Sequence, residues 1–469
     1  MGRVALSSLL PLFAAILAAC PGHAAGADDP PRAAALKDDG YRGIWYANQP
    51  TGDQYRYKYS GGFATYPQQH IPIAIYSKEA RKTFFCYGGR PRDENRLLIM
   101  VSYYDHATGT VPRPAILLDK RTDDAHDNPT LSLDDEGYLW VFANAHGTSR
   151  PAYIHRSTRP HSIDEFERIA TTNFSYAQPW HLPGRGFLVL HTRYSPGRNL
   201  FWMTSADGRT WAEPRPLARV ALGHYQISRG QGDRLATAFN YHPRPLGLNA
   251  RTNLYYLETP DGGRTWRTAD GTAARTPMTE PQNPALVHDY EAEGRLVYLK
   301  DLQFDAEGRP VILYLTSRGY EPGPANGPRT WYTARWTGSD WKIRPFTGSD
   351  HNYDFGSLYI EPDGTWRIIA PTEPGPQPFG TGGEMVMWAS RDQGATWQRV
   401  KQLTHDSRRN HTYARRPLDA HPDFYAFWAD GDVLRPSGSN LYFTNQTGDH
   451  VWRLPETMTG ESARPEVAW

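Results

Sequence analysis

The chain has 469 residues, and its 51 basic and 50 acidic side chains leave a formal net charge of +1, which argues against nucleic acid as the main partner. Its 42 glycines, 39 prolines, 28 tyrosines and 15 tryptophans favour many short strands joined by turns over long helices. Beyond the N-terminal residues, no apolar run approaches the ~20 residues of a transmembrane helix.

The first residues have the pattern of an export signal. A positive charge precedes an apolar run over residues 4–19, which is short for a membrane span. The run ends in the sequence LAAC, which favours lipoprotein cleavage with the lipid on Cys20, whereas Ala25-Gly26-Ala27 is a competing ordinary cleavage site. We therefore expect residues 1–27 to be a signal peptide. The product is expected to be exported, as a cell-envelope lipoprotein or as a secreted or periplasmic protein, with a lipid as its only membrane attachment.

One turn recurs along the chain, with an Asp, a Gly and a Trp at nearly fixed spacing. It is clearest at residues 205–211, 259–266 and 390–397, and looser forms occur at 135–140, 305–308 and 361–366. The Asp can accept backbone hydrogen bonds, the Gly can adopt a positive φ, and the Trp can pack under the turn. This is the Asp-box signature, which is common in propeller blades and whose role is structural.

Short runs with the strand period of two separate these turns, for example PVILYLTS, and SIDEFERI at 162–169 is the best candidate for a helix. The pattern predicts a single all-β domain over residues 28–469, folded as a seven-bladed β-propeller with Asp-box-type turns.

Polar clusters at the ends of predicted strands are the candidate site, because propeller loops converge on the central axis. These clusters are rich in His, Tyr, Arg and Asn, and no close pair of catalytic carboxylates stands out. A nucleophile elbow, a P-loop, a dinucleotide fingerprint and a CxxC pair are all absent from the sequence. The clustered residues that we select are His70, His126, Asn128, His146, Tyr176, Trp180, Arg193 and Tyr241.

One reaction uses Arg, His and Tyr without carboxylates, namely β-elimination from a uronic acid. Arg can neutralise the uronate carboxylate, so that the proton on the neighbouring carbon becomes acidic. His can remove that proton, and a Tyr hydroxyl can protonate the departing glycosidic oxygen. No cofactor is required for this chemistry.

Several stretches of the chain resemble the BNR-4-type propeller family, which includes ulvan lyases, rhamnosyl-glucuronate lyases and glucuronidases. The resemblance is dense over residues 41–211 and thinner, mostly in turns, to about residue 445. The stretches that carry it are YRGIWY, YKYSGGFATYPQQHIPIAIY, KTFFCYGG, LLIMVSYYDHATGTVPRP, DDAHDNPTLSLDDEGYLWVF, RPAYIHRS and SYAQPWHLPGRGFLVLHTRYSPGRNLFWMTSADGRTW.

The resemblance implies roles for the selected residues. His126 is similar to the family histidine beside the transferred proton, and His146 to its partner near the uronate carboxylate. Tyr176 resembles the tyrosine that acts as acid, and it or His126 acts as base. Arg193 resembles the arginine that neutralises the carboxylate.

The expected substrate contacts are weaker inferences. Tyr241 resembles a sugar-contacting residue, and Asn128 and Trp180 are further expected contacts. His70 matches a histidine on the opposite face that glucuronidase relatives use instead. Some relatives also carry a structural metal ion, whose ligands we do not assign from this sequence.

The sequence therefore predicts a polysaccharide lyase that cleaves next to a glucuronate or iduronate linked to rhamnose, leaving a 4,5-unsaturated uronate. Its expected partner is an acidic polysaccharide such as ulvan, and a monomer is expected. One alternative is a rhamnosyl-glucuronate lyase or glucuronidase that acts on plant gum side chains. Another is a non-catalytic glycan-binding lipoprotein.

Overall fold

A computed structural model describes residues 32–62 and 70–469. The predicted signal peptide and Cys20 lie outside the described residues. Helix in the described part is confined to three short 3-10 turns, Ala125–Asp127, Gly247–Ala250 and Pro324–Asn326. Among the described residues no helix is both long and apolar enough to span a bilayer.

The strands form seven antiparallel sheets of four or more strands within the described ranges. From the innermost strand outward, the first sheet contains Ala74–Ser77, Lys82–Gly89, Leu98–Asp105, Ala115–Asp119 and Leu36–Lys37. The second contains Pro129–Leu133, Leu139–Ala143, Ala152–Ser157, Glu165–Thr172 and Arg32–Ala34. The third contains Ser175–Leu182, Gly186–Tyr194, Arg198–Ser205 and Arg215–Ala218. The fourth contains Gln226–Gln231, Arg234–Tyr241, Thr252–Thr259 and Leu286–His288.

The remaining sheets repeat the same up-and-down order. The fifth contains Leu296–Phe304, Pro310–Ser317, Arg329–Trp336 and Trp341–Ser349. The sixth contains Ser357–Ile360, Trp366–Glu373, Glu384–Ser390 and Gln398–Gln402. The seventh contains Asn410–Arg415, Ala426–Gly431, Leu441–Thr444, Val451–Arg453 and Glu466–Val467. The shorter pairings involve Gly43–Pro50 with Tyr57–Gly62 and Gly438–Ser439, and Val111–Pro112 with Ser462–Ala463.

Successive sheets contact one another, and the last sheet returns to the first. A parallel bridge joins Ile75 of the first sheet to Leu418 beside the seventh, and the Tyr76 N–H donates to the Leu418 carbonyl at 2.9 Å. The sheets therefore surround a central axis, and the predicted all-β propeller architecture is confirmed. The helix predicted over residues 162–169 is wrong, because most of these residues belong to the strand Glu165–Thr172 of the second sheet.

The recurring turn has the predicted structural role. Asp207 Oδ1 accepts hydrogen bonds at 2.8 Å from the backbone N–H groups of Arg209 and Thr210. Gly208 has a φ of 71°, and the Trp211 indole N–H donates to its carbonyl at 2.8 Å. This turn joins the third and fourth strands of its sheet, at the end of the ring opposite to the start of the innermost strands.

Candidate active site

The selected residues with the most polar surroundings lie where the innermost strands begin, and we call this end of the ring the site face. Loops between the second and third strands of each sheet reach the same end, because neighbouring antiparallel strands reverse direction. Side chains that are distant in sequence therefore meet on the site face.

His126 and His146 are brought together by one carboxylate. Asp124 caps the short helix Ala125–Asp127 and accepts the His126 N–H at 3.1 Å, as Asp does at many helix starts. The same carboxylate binds the Nδ1 atoms of both imidazoles, through Oδ1 to His126 and through Oδ2 to His146 at 2.8 Å. The two rings stack with centroids 3.9 Å apart and an interplanar angle of 10°.

The charge state of this cluster follows from its contacts. Burial acts to raise the pKa of Asp124, but hydrogen bonds from His126 and His146 outweigh it and leave the pKa far below its usual value. Burial lowers the pKa of His126, although Asp124 opposes the shift. Because an ionised carboxylate only accepts hydrogen bonds, Nδ1 of each imidazole is the donor, which places the basic lone pair of a neutral ring on Nε2.

Further charged side chains hold Asp124 and its loop in place. Arg150 donates to Asp124 Oδ2 at 2.9 Å and makes two hydrogen bonds of 2.9 Å to Asp127. Lys120 Nζ lies 3.2 Å from Asp127 Oδ2. These bidentate and charged contacts fix the loop that carries the histidine pair.

Tyr176 lies beside this pair. Its backbone has a φ of 55°, and the strand register shifts between Ser175 and Gln178, so that the chain bulges at this position. The Tyr176 ring is 6.0 Å from the His126 ring, and its hydroxyl is 3.2 Å from the hydroxyl of Tyr194. The Tyr194 ring in turn lies 5.8 Å from the His146 ring. Two hydroxyl groups and two imidazoles therefore share one small region.

Two arginines and a lysine that the sequence interpretation missed lie near one another in this region. The Arg198 guanidinium is 5.3 Å from the ring of Tyr194, and that of Arg251 is 4.7 Å from the ring of Tyr225. Burial, together with the positive charges of Arg251 and Arg198, lowers the pKa of Lys58 to about 6. Such a concentration of positive charge suits an anionic ligand.

A sequence signal for two of these cations did exist. His146 and Arg251 lie in the connection between the second and third strands of their sheets, and Arg198 is the first residue after the same connection in the third sheet. An alignment of the sequences around this connection from neighbouring sheets would have predicted that the two arginines lie on the same face as His146.

Arg193 does not join the histidine pair. Within the described part of the chain, its Nε donates to the Asn173 carbonyl at 3.5 Å, and its guanidinium lies 5.9 Å from the ring of Phe201. Successive side chains of a strand point to opposite faces, so Tyr194 faces the histidine pair and Arg193 faces away from it.

Trp180 and Asn128 are buried rather than open to a sugar. The Trp180 indole N–H donates to Ser228 Oγ at 2.8 Å, and four residues of strand, about 13 Å, separate it from Tyr176. The Asn128 side chain is fully buried, and a Cβ built at Gly88 would lie 1.9 Å from its Oδ1. Both residues therefore pack between sheets, which corrects their assignment as substrate contacts.

Tyr241 and His70 are also placed differently from expectation. The Tyr241 hydroxyl donates to Glu291, whereas the next residue, His242, faces Tyr225 with a ring separation of 4.9 Å. His70 lies on the site face rather than the opposite face, because its Nε2 is 2.9 Å from the His126 carbonyl and its ring is 5.6 Å from that of Tyr176. His70 is fully buried, so it packs against His126 and Tyr176 on their interior side.

Asp124, His126 and His146 also offer the carboxylate and imidazole ligands that divalent cations bind, with one ligand atom of each residue within 4.8 Å of the others. Both Nδ1 atoms are already held by Asp124, however, so that the group is built as a hydrogen-bonded unit.

The sequence and the fold are both similar to those of known proteins. The sequence model of the BNR repeat-containing family matches residues 82–349. The chain is 24% identical to a protein of Pseudoalteromonas sp. (strain PLSV) named "Ulvan Lyase-PL25". The aligned stretch of 303 residues covers 55% of this chain and 60% of the relative. An "Ulvan lyase" of Alteromonas sp. (strain LOR) is 23% identical over 317 residues, covering 58% of this chain and 63% of the relative. The chain thus matches less than two thirds of the length of these relatives.

Solved structures show the same fold. A PL25 ulvan lyase superposes with a TM-score of 0.66 at 17% identity, covering 88% of this chain and 96% of that one. A PL25 ulvan lyase bound to -[GlcA(1-4)Rha3S]- gives the same TM-score at 18% identity, with the same coverage.

Proposed function

The chain belongs to the BNR repeat-containing family, and on that premise we propose that it is a polysaccharide lyase acting on an ulvan-like polymer. It would cleave by β-elimination next to a glucuronate or iduronate linked to rhamnose. The observation that carries the proposal is the stacked His126 and His146 pair on Asp124, beside the paired hydroxyls of Tyr176 and Tyr194. The names of the relatives support the same reaction class.

The first step needs a neutralised uronate carboxylate and a base. Arg198 supplies the positive charge in this proposal, because it borders Tyr194, and it replaces Arg193 in that role. Nε2 of the histidine pair takes the proton from the carbon next to the carboxylate. His146 is the member that can reach the substrate, since 31% of its side chain is exposed whereas His126 is almost completely buried.

The second step needs an acid on the leaving oxygen. The Tyr176 and Tyr194 hydroxyls share a hydrogen bond, so the partly exposed Tyr194 can pass its proton to the glycosidic oxygen while the buried Tyr176 supplies a proton to the resulting phenolate. The carbon–oxygen bond breaks as the double bond forms, and the product carries a 4,5-unsaturated uronate. No cofactor takes part in this proposed sequence of steps.

Other features of the protein are proposed on the same basis. Each of the seven larger sheets would be one blade of a single propeller domain, because each contains at least four antiparallel strands and contacts its neighbours in order. We propose an exported monomer, with Cys20 as the lipid-carrying residue.

The test is to incubate the purified protein with ulvan and, in parallel, with a rhamnose–glucuronate gum. Elimination produces a conjugated alkene, so ultraviolet absorbance should rise together with new reducing ends, and His146→Ala should abolish both. New reducing ends without absorbance would replace this proposal by hydrolysis. Binding without either signal would make the protein a glycan-binding module.

A further inference from the structure

A second cluster of metal-ligating side chains lies at the end of the ring opposite to the site face. His106 follows the strand Leu98–Asp105 of the first sheet, whereas His421 and Asp423 lie between Asn410–Arg415 and Ala426–Gly431 of the seventh sheet. These residues come from near opposite ends of the described chain. They meet at the seam where the last sheet contacts the first.

The geometry brings three donor atoms close together. The rings of His106 and His421 have centroids 3.9 Å apart at an angle of 45°, and Asp423 Oδ2 lies 3.6 Å from His421 Nδ1. One ligating atom from each residue lies within 4.8 Å of the other two. A tetrahedral zinc ion with bonds of about 2.0–2.1 Å needs its ligand atoms about 3.3–3.4 Å apart, so side-chain rotation must bring these atoms closer by up to about 1.5 Å.

One ring nitrogen of His106 is hydrogen-bonded and the other is not. Its Nε2 is 2.8 Å from Thr83 Oγ1, whereas its Nδ1 is buried and has no hydrogen-bond partner in the described part of the protein. Metal-ligating histidines usually donate their second ring N–H to an outer partner in this way.

The surroundings of the cluster also suit an ion. The Tyr76 ring lies 5.2 Å from His106 and 4.9 Å from His421, and the Tyr104 ring lies 4.9 Å from His106. These aromatic rings shield one side of the cluster, while the exposed Asp423 side chain leaves access from solvent.

We infer that His106, His421 and Asp423 form a binding site for a divalent transition-metal ion, with zinc the best match to two imidazoles and one carboxylate. Water would complete a tetrahedral coordination shell. The ion would join the first sheet to the seventh and stabilise the closed ring, because it cross-links segments far apart in the chain. This inference does not depend on the proposed reaction.

The experiment uses the mature protein after dialysis against a chelator. Zinc chloride is then titrated by calorimetry, bound zinc is measured by mass spectrometry, and thermal unfolding is followed with and without the ion. The wild type should bind one zinc ion at this site and unfold at least about 2 °C higher with it. His421→Ala and Asp423→Asn should each weaken this binding by about 10- to 100-fold or more and remove the shift.

Two controls locate the ion. His405→Ala removes another exposed histidine paired with an aspartate, 3.0 Å from Asp406, and should leave zinc binding unchanged. His146→Ala tests the cluster on the site face. The inference is overturned if the wild type binds no zinc, if His421→Ala binds it as the wild type does, or if only His146→Ala loses it.

Discussion

Asp124 holds both imidazoles of the proposed active site, and Asp124→Asn should therefore disable catalysis without removing a group that touches the substrate. An asparagine presents one carbonyl oxygen and one NH2 group, so it can accept from only one Nδ1–H with the present geometry. The other ring must change its tautomer or leave the stack. Asp124 is thus a positioning residue, and its loss should act through the orientation of the histidines.

The size of the effect follows from the bonds lost. A hydrogen bond to a charged group contributes about 1.5–3 kcal/mol, so releasing one ring removes about 1.5–3 kcal/mol of positioning energy. At about 1.4 kcal/mol per factor of ten, this corresponds to a rate lower by about 10- to 100-fold. The Michaelis constant should change little, because the cations beside Tyr194 and Tyr225 remain.

The assay is the ultraviolet absorbance of the unsaturated product, measured as a function of pH. Asp124 raises the pKa of His126 against the effect of burial, so removing its charge lowers that pKa further. Because His126 stacks on the proposed base His146, the acid limb of the rate profile, where this pair takes up a proton, should move to lower pH, which a simple loss of folded protein would not produce. Asp123→Asn, an exposed neighbour, is the matched control. A rate within about threefold of the wild type, with the acid limb unmoved, would refute the role of the carboxylate.

Three further predictions use the same assay or simple unfolding. Tyr176→Phe should lower the turnover rate by about 10² to 10⁴ with little change in substrate affinity, and a rate near that of the wild type would remove it as a proton carrier. Arg198→Ala should be far more damaging than Arg193→Ala, because only Arg198 borders the tyrosine pair; the reverse order, measured on ulvan, would restore the sequence-based assignment. Stability should fall as pH drops from about 6.5 toward 4, and three buried histidines together should contribute up to about 4 kcal/mol per pH unit to the slope, because the unfolded chain binds protons that these residues do not bind in the folded state. Burial lowers the pKa of these residues to about 3 or 4, namely His155, His191 and His224. In urea unfolding at several pH values, His191→Gln should make that slope shallower by about 1.4 kcal/mol per pH unit, and an unchanged slope would contradict the assignment.

The pH dependence of stability is a property of the folded chain that the sequence alone could not supply. This pH dependence comes from histidines that are buried by neighbouring sheets. Nothing in their local sequence distinguishes them from exposed histidines. His191 lies in the apolar run FLVLHTRY, yet only the packing of the third sheet shows that its ring is fully buried.

The sequence by itself determined the all-β architecture and the turns, since both depend on local chemistry. Alternation with a period of two specifies strands, and the Asp207, Gly208 and Trp211 pattern specifies a turn whose hydrogen bonds all lie within a few residues. It also selected His126, His146 and Tyr176, which the structure brings together.

Only the tertiary structure decided which neighbours of those residues share the site. Arg193 and Tyr194 are adjacent in sequence but face opposite sides of one strand, and Tyr241 and His242 are separated in the same way. Asp124 is at the centre of the site because the fold places His146, 22 residues later in the sequence, against its second carboxylate oxygen. No sequence motif links these two residues. Contacts of this kind depend on how strands from different sheets meet around the axis, which a local pattern of residues does not encode.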